Sequence, residues 1–276
     1  MYKYTWIFFL LLTITLFGMD QRLLNYPNGK SLYEKATNND EDSAFYLALL
    51  YKQSLKDYKE ASYWYAKAYE LGSVDAAFNL GNLYHDLKNY EKMEEWYKKA
   101  ISHGDGGAAF NLANTYNIEL NRVQEAIPFY EKAYELGQKD APLSLGLIHK
   151  GTKEYESATQ WFKKAYEVGN MGGAHSLAYL YDETFQRPDK AKQWYEKAAK
   201  GGYKDSINNL GVLYYNEGDN IHAGAYFIAL IAYGEPKDDI LDFLKNDWKL
   251  DRDTMQKAYE LQKTLDIPKH YTGGID

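Results

Sequence analysis

The chain has 276 residues, no cysteine and a formal net charge of −7, with 28 tyrosines. The lack of cysteine excludes disulfides and a lipid-modified N-terminus, so the fold rests on packing alone. The net negative charge gives no basis for a general nucleic-acid or anionic-lipid surface.

The chain opens on Met1-Tyr2-Lys3-Tyr4, followed by the largely apolar run Thr5 to Gly18. One early positive charge and about a dozen apolar residues are too short for an ordinary transmembrane helix and fit a secretory signal. Residues 1–18 therefore read as a signal peptide, which would place the protein in the bacterial periplasm or outside the cell. Leu16 and Phe17 make a poor cleavage site before Gly18, so an uncleaved anchor formed by residues 5–18 in the inner membrane stays open. Residues 19–40 hold a lone helix-B-like segment, Ser31-Leu32-Tyr33-Glu34-Lys35-Ala36, that reads as an N-terminal cap.

Residues 41–236 repeat. Gly72, Gly104, Gly137, Gly169, Gly202 and Gly234 recur at intervals of 32, 33, 32, 33 and 32, each eight residues after an aromatic: Trp64, Trp96, Phe129, Trp161, Trp194 or Tyr226. A series of small residues, Ala48, Gly81, Ala113, Gly146, Ala178 and Gly211, runs fifteen or sixteen positions before those aromatics. This period predicts an all-α fold, a right-handed α–α superhelix (solenoid) of about six helix-turn-helix repeats with capping helices. In helix A, Ala77, Leu80, Gly81 and Tyr84 form one stripe; in helix B, Ala61, Trp64, Tyr65 and Ala68 form another.

The small residue of helix A marks the expected crossing with helix B, and the Trp of helix B is expected to fill the space beside it. The glycines supply the left-handed residue that ends helix B, and Asp75, Asp140 and Asp205 are placed to cap the next helix A. Pro128, inside helix B of the third unit, is expected to kink it. In residues 237–276 the glycine position becomes Leu244 and the pattern dissolves into a charged segment, read as C-terminal capping helices and tail.

The run Ala-x-x-Asn-Leu-Gly-x-Leu-Tyr, then Ala-x-x-Trp-Tyr-x-Lys-Ala, then Gly, resembles the Sel1-like repeat (SLR), a relative of the tetratricopeptide repeat. The match is best at residues 77–104 and 191–214 and extends over roughly residues 30 to 235. The glycine-containing loop that lengthens the family's A-to-B connection is missing here, and His149 replaces the tyrosine found at Tyr51, Tyr84, Tyr116, Tyr181 and Tyr214.

The sequence builds no reaction centre. His85, His103, His149, His175, His222 and His270 show no metal-ligand spacing, so no metal or cofactor is expected and no catalytic residue is assigned. Gly104-Asp105-Gly106-Gly107 lies where every other unit has its inter-repeat turn and reads as that turn, not a phosphate loop.

The resemblance implies a concave side lined by helix A. Positions three before and one after the small residue would then face a groove: Phe45, Phe78, Phe110, Leu143, His175 and Asn208 in one column, Leu49, Asn82, Asn114, Leu147, Tyr179 and Val212 in the next. Variation at these positions on a constant frame suits recognition of a protein segment; equally, Phe45, Phe78 and Phe110 fit packing between neighbouring A helices. The resemblance thus implies a non-enzymatic exported scaffold whose partner is another protein, an envelope protein or a toxin, with no nucleic acid and no membrane contact beyond the N-terminal segment. The alternative is an immunity protein neutralising a periplasm-targeted toxin. A lesser one is a cell-wall or β-lactam hydrolase, since some family members are linked to β-lactams; those carry cysteine pairs in each repeat, which this chain lacks.

Overall fold

The computed structural model describes residues 19–275, and the segment read as a signal or anchor lies outside them. Among the described residues every regular element is helical. The contacts group the chain into two compact units, Met1–Leu136 and Gly137–Asp276.

Unit 1 starts with a 3-10 turn, Gln21–Asn25, and a lone B-type helix, α1 (Gly29–Thr37). Three hairpins follow: α2 (Glu41–Leu50) with α3 (Tyr58–Leu71), α4 (Val74–Asp86) with α5 (Tyr90–Ser102), and α6 (Gly106–Asn114) with α7 (Val123–Glu135). Unit 2 has the same design, with α8 (Ala141–Gly151) and α9 (Tyr155–Glu167), α10 (Met171–Tyr179) and α11 (Pro188–Lys200), then α12 (Lys204–Asn216) and α13 (Asn220–Ile231). Within each unit a B helix packs on the A helix of its own hairpin and on the next A helix. All six repeat glycines have positive φ, between 83° and 122°, the backbone state that ends helix B at low cost.

The hairpin crossing is made by the residue after the expected one. Tyr65, Tyr97, Tyr130, Phe162 and Tyr195 are fully buried, whereas Trp96, Trp161 and Trp194 are only half-buried. A Cβ on Gly81 would stand 2.5 Å from the Tyr97 ring, and one on Gly211 2.5 Å from Phe227, so the ring of helix B lies on the bare backbone of helix A. The tryptophans instead join successive hairpins. Trp64 meets Tyr33 at 5.9 Å, Trp96 meets Tyr69 at 5.5 Å and Trp194 meets Tyr166 at 5.6 Å, all edge to face. Two of them carry a lysine over the ring, Lys99 3.7 Å from Trp96 and Lys197 3.8 Å from Trp194.

The alternation of fifteen and sixteen residues has a structural cause. Hairpins with alanine at the crossing carry one more residue, and each absorbs it in a π-turn closing helix A: Tyr51–Leu55, Thr115–Glu119 and Leu180–Thr184. The wide turn is visible in the bonds Leu120 N–H to Thr115 C=O (3.0 Å) and Phe185 N–H to Leu180 C=O (3.1 Å). Hairpins with Gly81, Gly146 or Gly211 have none. The structural period within a unit is therefore two hairpins.

The three expected aspartate caps are corrected. Asp75 and Asp205 lie inside the first turns of α4 and α12, where a carboxylate favours the helix dipole, and Asp140 precedes α8 without capping a backbone N–H, its carboxylate accepting instead from the Asn170 side-chain amide at 2.8 Å. Side-chain caps occur elsewhere: Asp40 accepts from Ser43 N–H at 2.8 Å, and Asp105, in the glycine-rich turn, from Ala108 N–H at 2.9 Å. Helix α7 continues unbroken through Pro128.

The charged C-terminal segment is a further hairpin. Helix α14 (Lys237–Asp242) ends in a fourth π-turn, Phe243–Asp247, and returns as α15 (Arg252–Gln262) against α13. Trp248 stacks on Tyr215 at 4.1 Å, and the buried Gln262 amide grips the tail backbone at Tyr271 through bonds of 2.6 and 3.0 Å. With both sides covered, α13 buries every residue from Ala223 to Leu230, while the other B helices bury one stripe.

Candidate functional site

In unit 1 the three phenylalanines each rest on the buried tyrosine of their own hairpin. Phe45 lies 5.7 Å from Tyr65, Phe78 6.2 Å from Tyr97 and Phe110 5.6 Å from Tyr130, and all three remain half-buried. They pack across the hairpin onto helix B and stay partly open to solvent. Asn82 and Asn114 have a structural duty: each accepts the hydroxyl of Tyr97 or Tyr130 at 2.6 Å. Leu49 takes the equivalent position in the first hairpin and offers no acceptor, so the buried Tyr65 hydroxyl has no partner. Tyr46, absent from the sequence reading, is 56% exposed beside Phe45.

In unit 2 the face is more polar. His175 stacks on Tyr203 at 4.7 Å and hydrogen-bonds through Nδ1 to the buried Ser206 hydroxyl at 2.9 Å. Burial holds its pKa below the ordinary histidine value. His175, Tyr179 and Asn208 line a pocket of about 480 Å³ together with Lys204, Asn209 and Glu235. Lys204 and Glu235 form an ion pair across it, and Asn209 donates to the Tyr195 hydroxyl at 3.0 Å. Leu143 packs against the cluster around Phe162 and Leu177, whereas Leu147 and Val212 face solvent at 50% and 38% exposure. Lys204 and Glu235 were not singled out from sequence because they lie at the N-terminus of α12 and in the turn after α13, off the helix-A columns.

The histidines act as local polar links. His85 Nε2 contacts Glu119 at 2.6 Å, His149 Nδ1 contacts Glu154 at 3.0 Å, and His103 Nε2 meets the Tyr69 hydroxyl at 3.2 Å. His85 and Tyr90 both bond Glu119 and hold its carboxyl below the usual range. Among the described residues no group of three or more His, Asp or Glu side chains is placed to hold a metal ion.

Helical hairpins that place constant aromatics inside and variable side chains on helix A define a repeat protein of the class that mediates protein–protein interaction. The chain belongs to the Sel1-like and tetratricopeptide-like repeat proteins: residues 41–73 and 172–203 match the Sel1 repeat, and residues 74–102, 107–140 and 143–168 match the tetratricopeptide repeat. No curated protein matches the sequence. Among solved structures the chain is similar to a protective antigen of uropathogenic Escherichia coli with an SLR fold, at 26% identity and a TM-score of 0.58, covering 85% of this chain. The chain spans 55% of that protein's length. A Sel1 repeat protein from Oxalobacter formigenes is 25% identical, with a TM-score of 0.46 over 64% of this chain and 77% of that one. Pseudomonas aeruginosa PilF is 21% identical, with a TM-score of 0.50 over 76% of this chain and 97% of that one.

Proposed function

We propose that the protein is a non-enzymatic scaffold that holds another protein against its helix-A faces, and that it works outside the cytoplasm. The observation that carries the binding half is the exposure of large side chains on these faces, Tyr46 in unit 1 and Leu147, Tyr179 and Val212 in unit 2, on helices whose inward leucines, Leu47, Leu145, Leu177 and Leu210, are fully buried. Uncovered aromatic and aliphatic groups on a rigid frame are the usual anchors of a protein interface. The polar groups nearby are tied to the frame, Asn82 and Asn114 to tyrosines and His175 to Ser206, which favours binding over chemistry. The export half rests on the apolar run Thr5 to Gly18. Among the described residues no helix is long and apolar enough to cross a membrane.

Affinity capture from the native host's envelope tests both halves, with the wild-type chain run beside Tyr46→Ser and Leu147→Ser/Val212→Ser variants. A partner held by the wild type and lost from a variant supports the reading. A partner held equally by all three proteins refutes these faces. The intact mass of protein recovered from the envelope shows whether residues 1–18 are removed, and protein found only in the cytoplasm refutes export. A captured toxin in place of an envelope component would assign the scaffold to immunity.

A further inference from the structure

The helix-A face of unit 1 has a one-sided chemistry. Helices α2, α4 and α6 contain no lysine or arginine. At the N-terminal ends of α2 and α4, Glu41, Asp42 and Asp75 surround a pocket of about 260 Å³ whose wall is completed by Phe45 and Tyr46. None of the three carboxylates is ion-paired among the described residues, although others in the unit are: Asp57 with Arg22, Asp86 with Lys52, and Glu94 and Glu95 with Lys98 and Lys99. Stabilisation of the helix dipole accounts for acids in a first turn. It does not account for an aromatic ring left 56% exposed beside them.

A second observation falls on the same face. Phe45, Phe78 and Phe110, on α2, α4 and α6, are each only half-buried, so apolar edges continue from the pocket across the three A helices.

Resting on the reading of the helix-A faces as binding surfaces, we propose that unit 1 docks a basic segment of a partner protein. A lysine or arginine of that segment enters the pocket, its charge met by Glu41, Asp42 and Asp75 and its aliphatic stem lying on Phe45 and Tyr46. Apolar side chains further along the segment meet the half-buried rings of Phe78 and Phe110. The absence of cations from the three A helices rejects an acidic segment by leaving its charge unpaired.

Two fluorescein-labelled peptides test this on the full chain. They share phenylalanine and leucine positions and differ only in carrying lysine or glutamate between them. Fluorescence anisotropy should show the lysine peptide binding about tenfold or more tightly than the glutamate peptide, weakening with added salt. A Glu41→Gln/Asp42→Asn/Asp75→Asn variant with an unchanged circular-dichroism melt should lose that preference. Equal binding of the two peptides, no binding of the lysine peptide, or a preference unaffected by the triple variant would overturn the inference. If Tyr46→Ser weakens both peptides alike while the triple variant does nothing, the face binds protein without selecting charge. If neither variant changes binding, the face itself is not the site.

Discussion

The ring of Phe162 occupies the space that a side chain at Gly146 would need: a Cβ there would lie 2.4 Å from its Cδ1. Phe162 is fully buried between α8 and α9 and has no open side to move toward. Gly146→Ala should therefore destabilise the protein by about 1–3 kcal/mol, despite the better helix propensity of alanine. Gly151 lies in the same helix with nothing within 4 Å of its would-be Cβ, so Gly151→Ala should be neutral or slightly stabilising. Urea unfolding of both variants checks the pair, and equal effects would refute the crossing.

The same geometry separates two adjacent aromatics. Phe162→Ala removes a fully buried ring from the crossing and should cost roughly 3–5 kcal/mol. Trp161 is half-buried with Lys164 3.8 Å from its ring, so Trp161→Ala should cost nearer 1–2 kcal/mol. A larger loss from Trp161→Ala in thermal melts would restore the tryptophan as the plug of the hairpin.

That distinction marks what the sequence could tell. The glycine and aromatic periods revealed the hairpins because each has a steric cause that recurs, the left-handed turn at Gly104 or the crossing at Gly81. They did not reveal which ring enters the crossing, since Trp96 and Tyr97 are neighbours on one apolar stripe. The extra residue in alternate units was visible as a count, but its home in a π-turn was not, because no residue type marks that turn. Asp75 looked like a cap because it follows Gly72 by three; the helix starts earlier, with Ser73 as the single residue between glycine and α4. Residues 237–276 were legible as capping helices, but their pairing as the hairpin α14–α15 was not, because the glycine position is taken by Leu244. On the candidate face the columns carried positions but not partners, so Asn82 read as free and Tyr46 went unnoticed.

Tyr65 and Tyr97 make a matched test of buried hydroxyls. Tyr97 donates to Asn82 at 2.6 Å, so Tyr97→Phe should cost about 1 kcal/mol and leave the amide short of a partner. Tyr65 donates to nothing, so Tyr65→Phe should be neutral or stabilising by up to about 1 kcal/mol. Leu49→Asn, which copies Asn82 into the first hairpin, should reverse that sign by giving the hydroxyl its acceptor. Chemical unfolding of the single and double variants measures the coupling, and an additive Leu49→Asn/Tyr65→Phe pair would show that the hydroxyl is not directed at this position.

His175 sets a pH dependence on unit 2. Burial against Tyr203 and Tyr195 is the main force lowering its pKa, with Lys150 acting in the same direction and Asp205 opposing both. The unfolded chain then binds the proton more readily than the native state, so stability from this group is complete above the ordinary histidine pKa of about 6.5 and falls as pH drops below it. His175→Phe keeps a ring against Tyr203 and removes the titration. It should shift stability by a constant for the lost Ser206 bond and flatten the fall between about pH 6.5 and pH 5 relative to wild type. Melting temperatures of the two proteins across that range decide the matter: the difference must change with pH, and parallel curves would mean that the imidazole gains its proton as easily in the fold as outside it.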